Sequence, residues 1–332
     1  MKKTVVLLLT LICFLAGCRQ EKTKIYEYRD FTLFDTVTTI AGTGESEEAF
    51  RQEAEQICSE LQTYHRLFHI YQEYDGINNL KTVNDQAGIA PVEVEQPILD
   101  LLKDCRDYWI LSDEKVNVAM GGVLDLWHQA REQALKDPQK AFIPSTDERT
   151  AAARHCNMQD VVLDFEKKTV YLKDPEMRLD VGAVAKGWAA QRAAEKAPEG
   201  MLISVGGNVC ATGPKPDGSP WIVGIQDPHG EGCLQTVPLT RGSLVTSGDY
   251  QRYFTVDGKK YHHIIDPDSL WPGEKWSSVT VRCRDSGLAD SLSTALFLLP
   301  EEQGLELLKK VDGEAMWVDR EGKIFYSPGF IE

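Results

Sequence analysis

The change of apolar period along this chain constrains its fold more than any other feature. Up to about residue 135, apolar side chains recur every three or four positions, whereas from residue 161 they gather in short runs between turn formers. Ala49, Ala54, Ile57, Cys58, Leu61, Tyr64 and Phe68 fall on one face of a helix predicted over Glu45 to Phe68. Pro97 suits a first-turn position and opens a second helix that runs to Leu111, and a third covers Val123 to Leu135. After Pro144-Ser145-Thr146-Asp147 a short helix leads into a hairpin, with Val161-Val162-Leu163 and Val170-Tyr171-Leu172 flanking Asp164 to Lys168. Met201 to Val205, Trp221 to Gln226, Gln235 to Leu239, Gln251 to Val256 and Ser278 to Cys283 are β-rich runs separated by Gly, Pro and Asp turns. A helix from Gly287 to Leu299 interrupts them. Separate helical blocks beside antiparallel-looking strands predict an α+β fold, and a regularly alternating parallel sheet is not expected.

The first residues read Met1-Lys2-Lys3, an apolar run from Thr4 to Ala16, then Leu15-Ala16-Gly17-Cys18. Charge, apolar stretch and small residues before a cysteine follow the layout of a secretory signal with a bacterial lipoprotein cleavage box. The run is shorter than the roughly 20 residues that cross a bilayer, so Cys18 is expected to become a lipidated N-terminus, with residues 18–28 as a tether. Removing residues 1–17 takes away Lys2 and Lys3 and no acid, so the formal charge of −15 becomes −17. A chain this acidic repels a phosphate polymer, which argues against nucleic acid; a phosphorylated ligand must be small and held by local donors or a metal. Cys58, Cys105, Cys156, Cys210, Cys233 and Cys283 are scattered without a Cys-x-x-Cys, which argues against a zinc or redox centre and predicts buried single thiols. The mature length suits one compact unit.

Three segments carry candidate chemistry. Thr246-Ser247-Gly248-Asp249-Tyr250 and, after a short strand pair, Tyr261-His262-His263-Ile264-Ile265-Asp266-Pro267 crowd hydroxyl, carboxylate and imidazole groups around a Gly turn and an Asp-Pro break. Asp290 and Thr294 stand four apart on the last predicted helix, so their oxygens share a face and suit a hard cation such as magnesium. Leu179-Asp180-Val181-Gly182-Ala183-Val184-Ala185-Lys186-Gly187-Trp188 is a Gly-bearing turn opening a helix, with Lys186 within reach of a phosphate. It lacks both the Rossmann and the Walker patterns. Gly206-Gly207 in Ser204 to Asn208 fits a close backbone approach or a β-bulge equally well. Phe34, Tyr71 and Tyr74 are aromatics able to stack on a heterocycle.

Taken in order, these segments resemble the FAD:protein FMN transferase family, also called the ApbE family of thiamine-biosynthesis-associated lipoproteins. The matching pieces are Phe34-Asp35-Thr36, Asn84 with Ala87-Gly88, Gly121 to Trp127, Leu179 to Trp188, Gly206-Gly207-Asn208, Trp221 with Gly224 to Pro228, Thr246 to Tyr250, Tyr261 to Pro267, and Ala289-Asp290 to Thr294. The resemblance implies a two-lobed, T-fold-related α+β architecture over residues 29–332, with FAD in the cleft between the lobes. It implies FAD contacts from Phe34, Tyr71, Lys115, Val116, Asn117, Asp180, Lys186 and Ile265, with Tyr71 stacking on the isoalloxazine. Magnesium is expected on the Ala183 carbonyl and the Asp290 and Thr294 side chains, with Ser293 nearby and His263 transferring a proton. The implied reaction moves FMN from FAD to a Thr or Ser hydroxyl of an acceptor flavoprotein, an exported or membrane redox subunit, and releases AMP. The implied location is the extracytoplasmic face of the bacterial cell membrane, through the lipid on Cys18. Hydrolysis of FAD to FMN and AMP, or FAD binding without turnover, are the competing expectations. Phe34-Asp35-Thr36 stands where many relatives carry Met-Gly-Thr, and Asp268 to Pro272 lacks the Thr-Gly common there.

Overall fold

The computed structural model describes residues 24–331; the expected signal peptide, Cys18 and the first part of the tether lie outside them. The chain begins with an antiparallel pair, β1 (Tyr26–Asp30) and β2 (Thr38–Gly42), followed by helix α1 (Glu47–Leu67). Ser46 caps α1 by accepting from Ala49 N–H, Glu47 and Glu48 sit in its first turn and His65 and Arg66 in its last, each sign matching the helix dipole. Its buried stripe runs Phe50, Ala54, Ile57, Cys58, Leu61, Tyr64, Leu67, the three-four spacing read from the sequence except at its start, where Phe50 points inward and Ala49 is exposed. Next come α2 (Leu80–Asp85), β3 (Val92–Glu93), α3 (Gln96–Leu111), α4 (Gly121–Lys136) and α5 (Thr146–Ala153). Pro97 stands in the first turn of α3, and Ser145 with Glu148 forms a capping box on α5.

The remaining order is β4 (Val161–Asp164), β5 (Thr169–Leu172), α6 (Ala185–Lys196), β6 (Leu202–Val205), β7 (Asn208–Ala211), β8 (Trp221–Gln226), β9 (Cys233–Leu239), β10 (Gly242–Gly248), β11 (Tyr253–Val256), β12 (Lys259–His262), β13 (Trp276–Cys283), α7 (Ser286–Leu298), α8 (Glu301–Leu308), β14 (Gly313–Asp319) and β15 (Ile324–Tyr326). Eight strands form one antiparallel sheet in the order β1-β2-β6-β7-β10-β13-β14-β15. The α+β expectation therefore holds.

Three apolar clusters position the site. The largest joins α1, α3, α6 and α7 to one face of the sheet, and α7, buried on nearly every side with its polar residues included, lies between that face and α6. The β8–β9 hairpin covers the other face through Trp221, Val223, Ile225 and Val237, packed on Leu244, Met316 and Val318. A third cluster stands apart: Met120, Val123, Trp127 and Ala130 of the α4 region pack on Phe254, Tyr261 and Ile265 around the β11–β12 pair. This separate core is compatible with a two-lobed plan.

Two sequence expectations need correction. The six cysteines among the described residues are free, but Cys233 is exposed at the start of β9 and Cys156 half-buried, so burial does not extend to every one of these thiols. The Gly206-Gly207 pair forms no bulge: Val205 pairs directly with Asn208, and both glycines have positive φ, 60° and 92°, as a two-residue hairpin turn requires.

Candidate active site

One cavity of about 570 Å³, within the range of small-molecule and cofactor pockets, brings together the residues expected to contact FAD and the cation; Tyr74, the third candidate aromatic, does not line it. Phe34, Tyr71, Lys115, Val116, Asn117, Asp180, Ala183, Lys186, His263, Ile265, Asp290 and Thr294 all line it, although they come from segments spread over 260 positions of the chain. Ser293 does not; it is fully buried, donates to the Asp290 carbonyl at 2.9 Å and shares a 2.8 Å hydroxyl contact with Ser247.

The oxygen-rich end is built by α6 against α7. A Cβ on Gly187 would lie 2.3 Å from the Ser286 carbonyl oxygen and 2.5 Å from Asp290 Cβ, so only glycine allows these helices to approach so closely. The approach lets Gly187 N–H donate to Asp290 Oδ2 at 2.8 Å. Asn208, placed by the Gly206-Gly207 turn, donates to the same oxygen at 2.8 Å. Both bonds fix the carboxylate through Oδ2, and among the described residues none donates to Oδ1. Burial pushes the Asp290 carboxyl above its ordinary value, while Lys186 and the two donors oppose the shift. Thr294 Oγ1 sits one helical turn on, 3.4 Å from Ser247 Oγ at the end of β10. Among the described residues no group of three or more His, Cys, Asp and Glu converges as a metal cage. The donors at this end are instead one buried carboxylate oxygen, a hydroxyl and the Ala183 carbonyl, hard oxygens that suit a divalent cation whose shell is completed by water or phosphate.

The two adjacent histidines divide their labour. His262 is buried, donates from Nε2 to the Gly273 carbonyl at 2.7 Å and accepts Ile264 N–H on Nδ1 at 3.2 Å, so both nitrogens are committed to the backbone. Burial lowers its pKa to about 4, which fits a structural, neutral ring. His263 is exposed to the cleft and donates from Nδ1 to the Arg252 carbonyl at 3.2 Å, leaving Nε2 as a free acceptor. Desolvation by the cleft walls first, then the cations Arg252 and Lys186 and the neighbouring His262, lower its pKa. With its pKa lowered, His263 is a neutral base at pH 7.

Several predicted FAD contacts are already engaged within the protein. Lys115 Nζ bonds Asp266 at 2.8 Å and Asp268 at 2.6 Å, which ties down the loop that follows His263. Trp127 and Arg149 hold the same loop through the Leu270 carbonyl. Asn117 donates to the Cys156 carbonyl and accepts Ala119 N–H, so its side chain shapes the wall. Lys186 Nζ donates to the Gly182 carbonyl at 3.1 Å, and Asp180 accepts Gly182 N–H at 2.8 Å; burial raises the Asp180 carboxyl. Tyr71, 52% exposed, stacks on His128 of α4 with ring centroids 5.1 Å apart. Val116 and Ile265 are buried and contribute apolar wall. Phe34 has a left-handed backbone, as does Asp35, an arrangement that costs roughly 1–2 kcal/mol per residue.

Sequence reasoning missed His65, His69, His128 and Arg252, all of which line the cavity. His65 and His69, four apart at the end of a helix next to Tyr71, offered the one available signal. Arg252 was hidden in a strand prediction that began two residues too early.

The ApbE family model matches residues 34–317. A protein of Klebsiella pneumoniae (strain 342) named FAD:protein FMN transferase is 31% identical over 277 residues, 79% of this chain and 84% of its own. A Treponema pallidum (strain Nichols) protein of the same name is 32% identical over 274 residues, 76% of this chain and 74% of its own. The crystal structure of the ApbE protein from Thermotoga maritima superposes with a TM-score of 0.82 at 29% identity, covering 93% of this chain and 98% of that one.

Proposed function

Because the chain belongs to the ApbE family, we propose that it is a flavin transferase that moves FMN from FAD to the hydroxyl of a Thr or Ser in an acceptor flavoprotein and releases AMP. The observation that carries the reading is the meeting, in one cavity, of an unprotonated imidazole nitrogen on His263 with the oxygen set of Asp290, Thr294 and Ala183. These three residues would hold magnesium, which when bound offsets charge on the pyrophosphate as AMP departs.

The chain's own groups do the rest. His263 Nε2 accepts the proton of the acceptor hydroxyl, while its Nδ1–H stays on the Arg252 carbonyl and fixes the ring. The hydroxyl oxygen bonds to the FMN phosphorus, the bond from that phosphorus to the bridging oxygen breaks, and the electron pair leaves with AMP. Gly187 and Asn208 hold Asp290 in one orientation, so its free oxygen needs no rearrangement. Tyr71, with Val116 and Ile265 behind, offers a flat and an apolar surface for a flavin ring.

We also infer that lipid on Cys18 places the enzyme on the extracytoplasmic face of the bacterial membrane, where its acceptor would be an exported or membrane redox subunit. No helix among the described residues is long and apolar enough to cross a membrane. The test incubates the chain lacking residues 1–17, with Cys18 replaced, with FAD, magnesium and an acceptor domain carrying a flavinylation site. An FMN-sized mass gain on the acceptor with matched AMP supports transfer. Free FMN and AMP without labelling point to hydrolysis, and intact FAD throughout to binding alone.

A further inference from the structure

Beside the cleft stand two imidazoles that the transfer chemistry does not use. His65 lies in the last turn of α1 and His69 four positions on; their rings meet edge to face with centroids 5.5 Å apart. His65 Nδ1 accepts the N–H of Phe34 at 3.1 Å. His69 Nδ1 accepts two amides, Tyr71 at 3.1 Å and Gln72 at 2.9 Å. A ring nitrogen accepts only when it carries no proton, so both rings are neutral with hydrogen on Nε2. For His65 that hydrogen faces the Tyr74 hydroxyl, 3.4 Å away.

Two of the three amides held in this way belong to aromatic residues of the cleft wall, Phe34 and Tyr71. Phe34 opens a left-handed pair with Asp35, φ 53° and 51°, in a turn closed only by Thr36 N–H to the Leu33 carbonyl at 3.1 Å. Such a pair of non-glycine residues persists only when the surroundings hold it, and His65 reaches it from a different element. Tyr71 is more than half exposed, and its segment is oriented by the backbone bond to His69 together with the ring stack on His128 and the Asn79 amide on the Gln72 carbonyl.

We propose that His65 and His69 are positioning residues, His65 pinning the Phe34 segment to the last turn of α1 and His69 bracing the Tyr71–Gln72 turn that follows the helix, and that this clamp holds only while both imidazoles are neutral, so that flavin binding weakens in mild acid. The proposal rests on reading the cleft as an FAD site. Protonating either Nδ1 sets a donor against a donor. Protonating both adds two cations whose rings are already in contact.

The charged and titratable groups around the pair are few. Asp35 faces both rings and favours protonation, Arg66 on α1 opposes it at His65, and Tyr71 and Tyr74 pack against the rings by their edges. Burial outweighs Asp35 and lowers both pKa values, which keeps the clamp closed at pH 7. The sign follows: with the folded values below the unfolded one, the stabilisation is complete above about pH 6.5 and is lost as pH falls through the folded values.

The test uses the full-length chain, with amide hydrogen exchange of the peptides spanning 31–37 and 70–74 and FAD binding followed by flavin fluorescence. His65→Phe removes the acceptor; exchange in 31–37 should rise about fivefold or more, with residues 276–283 of the sheet unchanged as the folding control. Asn places an oxygen near where Nδ1 stands and does not titrate. The double variant His65→Asn/His69→Asn should therefore keep slow exchange at pH 7 and lose most of the weakening of FAD binding between pH 7 and pH 5. Unchanged exchange in His65→Phe, or a full acid loss retained in the double variant, overturns the clamp. If His65→Phe loosens the sheet as well, the double variant alone decides. Absent FAD binding in the wild type, with exchange still altered by His65→Phe, would strike the FAD reading and leave the clamp standing.

Discussion

Asn208 donates its side-chain amide to Asp290 Oδ2 at 2.8 Å, joining the β6–β7 turn to the middle of α7 across 82 positions of sequence. The bond forms because two glycines turn the strand tightly enough to aim Asn208 at the helix, and a third, Gly187, admits the helix that supplies the second donor. Local backbone exceptions thus fix the orientation of one buried carboxylate.

Replacing Asp290 by Asn keeps an oxygen for Gly187 N–H and Asn208 but removes the charge. FMN transfer should fall about 100-fold or more, the scale on which single groups stabilise charge in a transition state. Stability should change by only about 1 kcal/mol, since burial already disfavours the ionised form. AMP release with FAD and magnesium, beside a thermal melt, gives both readings. Wild-type turnover in this variant would remove the metal assignment.

His263 fixes an expectation for pH. Its folded pKa is lowered by desolvation and by Arg252, so the neutral base persists as pH falls below the ordinary imidazole value, and the rate constant at saturating FAD should decline only in more acid solution. Arg252→Gln removes a cation from its surroundings and should move that acid limb upward. His263→Asn should cost about 100-fold or more in the rate constant with FAD affinity nearly intact. A pH–rate profile of the three proteins checks this, and an acid limb that survives in His263→Asn would assign the proton transfer elsewhere.

Much of this was legible from residues alone where the signal is periodic or local. The stripe from Ala54 to Phe68, the short helix after Pro144–Asp147 and the Asp290/Thr294 spacing translate directly into structure, because a helix turns a three-four spacing into one face. The edges of the sheet did not translate. Strands β1, β2, β14 and β15 carry ordinary mixed sequence and exist because neighbouring strands offer them partners, which no local pattern records. Residue chemistry alone does not separate His262 from His263; only the family resemblance singled out His263, and the two differ physically once the Gly273 and Arg252 carbonyls are in place.

Gly187→Ala probes the helix contact itself. The added methyl would meet the Ser286 carbonyl and the Asp290 side chain well inside van der Waals distance, and backbone cannot yield as a flexible side-chain end does. Pushing α6 from α7 should cost about 1–3 kcal/mol and displace Asp290, so transfer should fall further than stability does. Chemical denaturation and AMP release on one preparation compare the two losses. An active, fully stable alanine variant would contradict the close approach.

Arg320 links stability to the catalytic loop from a distance. Asp249, in the Thr246–Tyr250 segment, is 4% exposed and pairs with Arg320, while Lys260 stands 3.6 Å from its other oxygen. Arg320 also donates to the Gly273 carbonyl at 3.0 Å and to the Glu274 carbonyl at 3.2 Å, and Gly273 is the residue that anchors His262. Arg320→Met leaves a buried carboxylate with only the more distant lysine, a loss of about 3–5 kcal/mol for a fully buried pair and less here because Arg320 is partly exposed. Asp249→Asn in the same background removes the unpaired charge and should recover part of that loss. It cannot restore the hold on Gly273, so stability should return without full turnover. Recovery of both together would mean that the ion pair, and not the carbonyl contacts, keeps His263 in place.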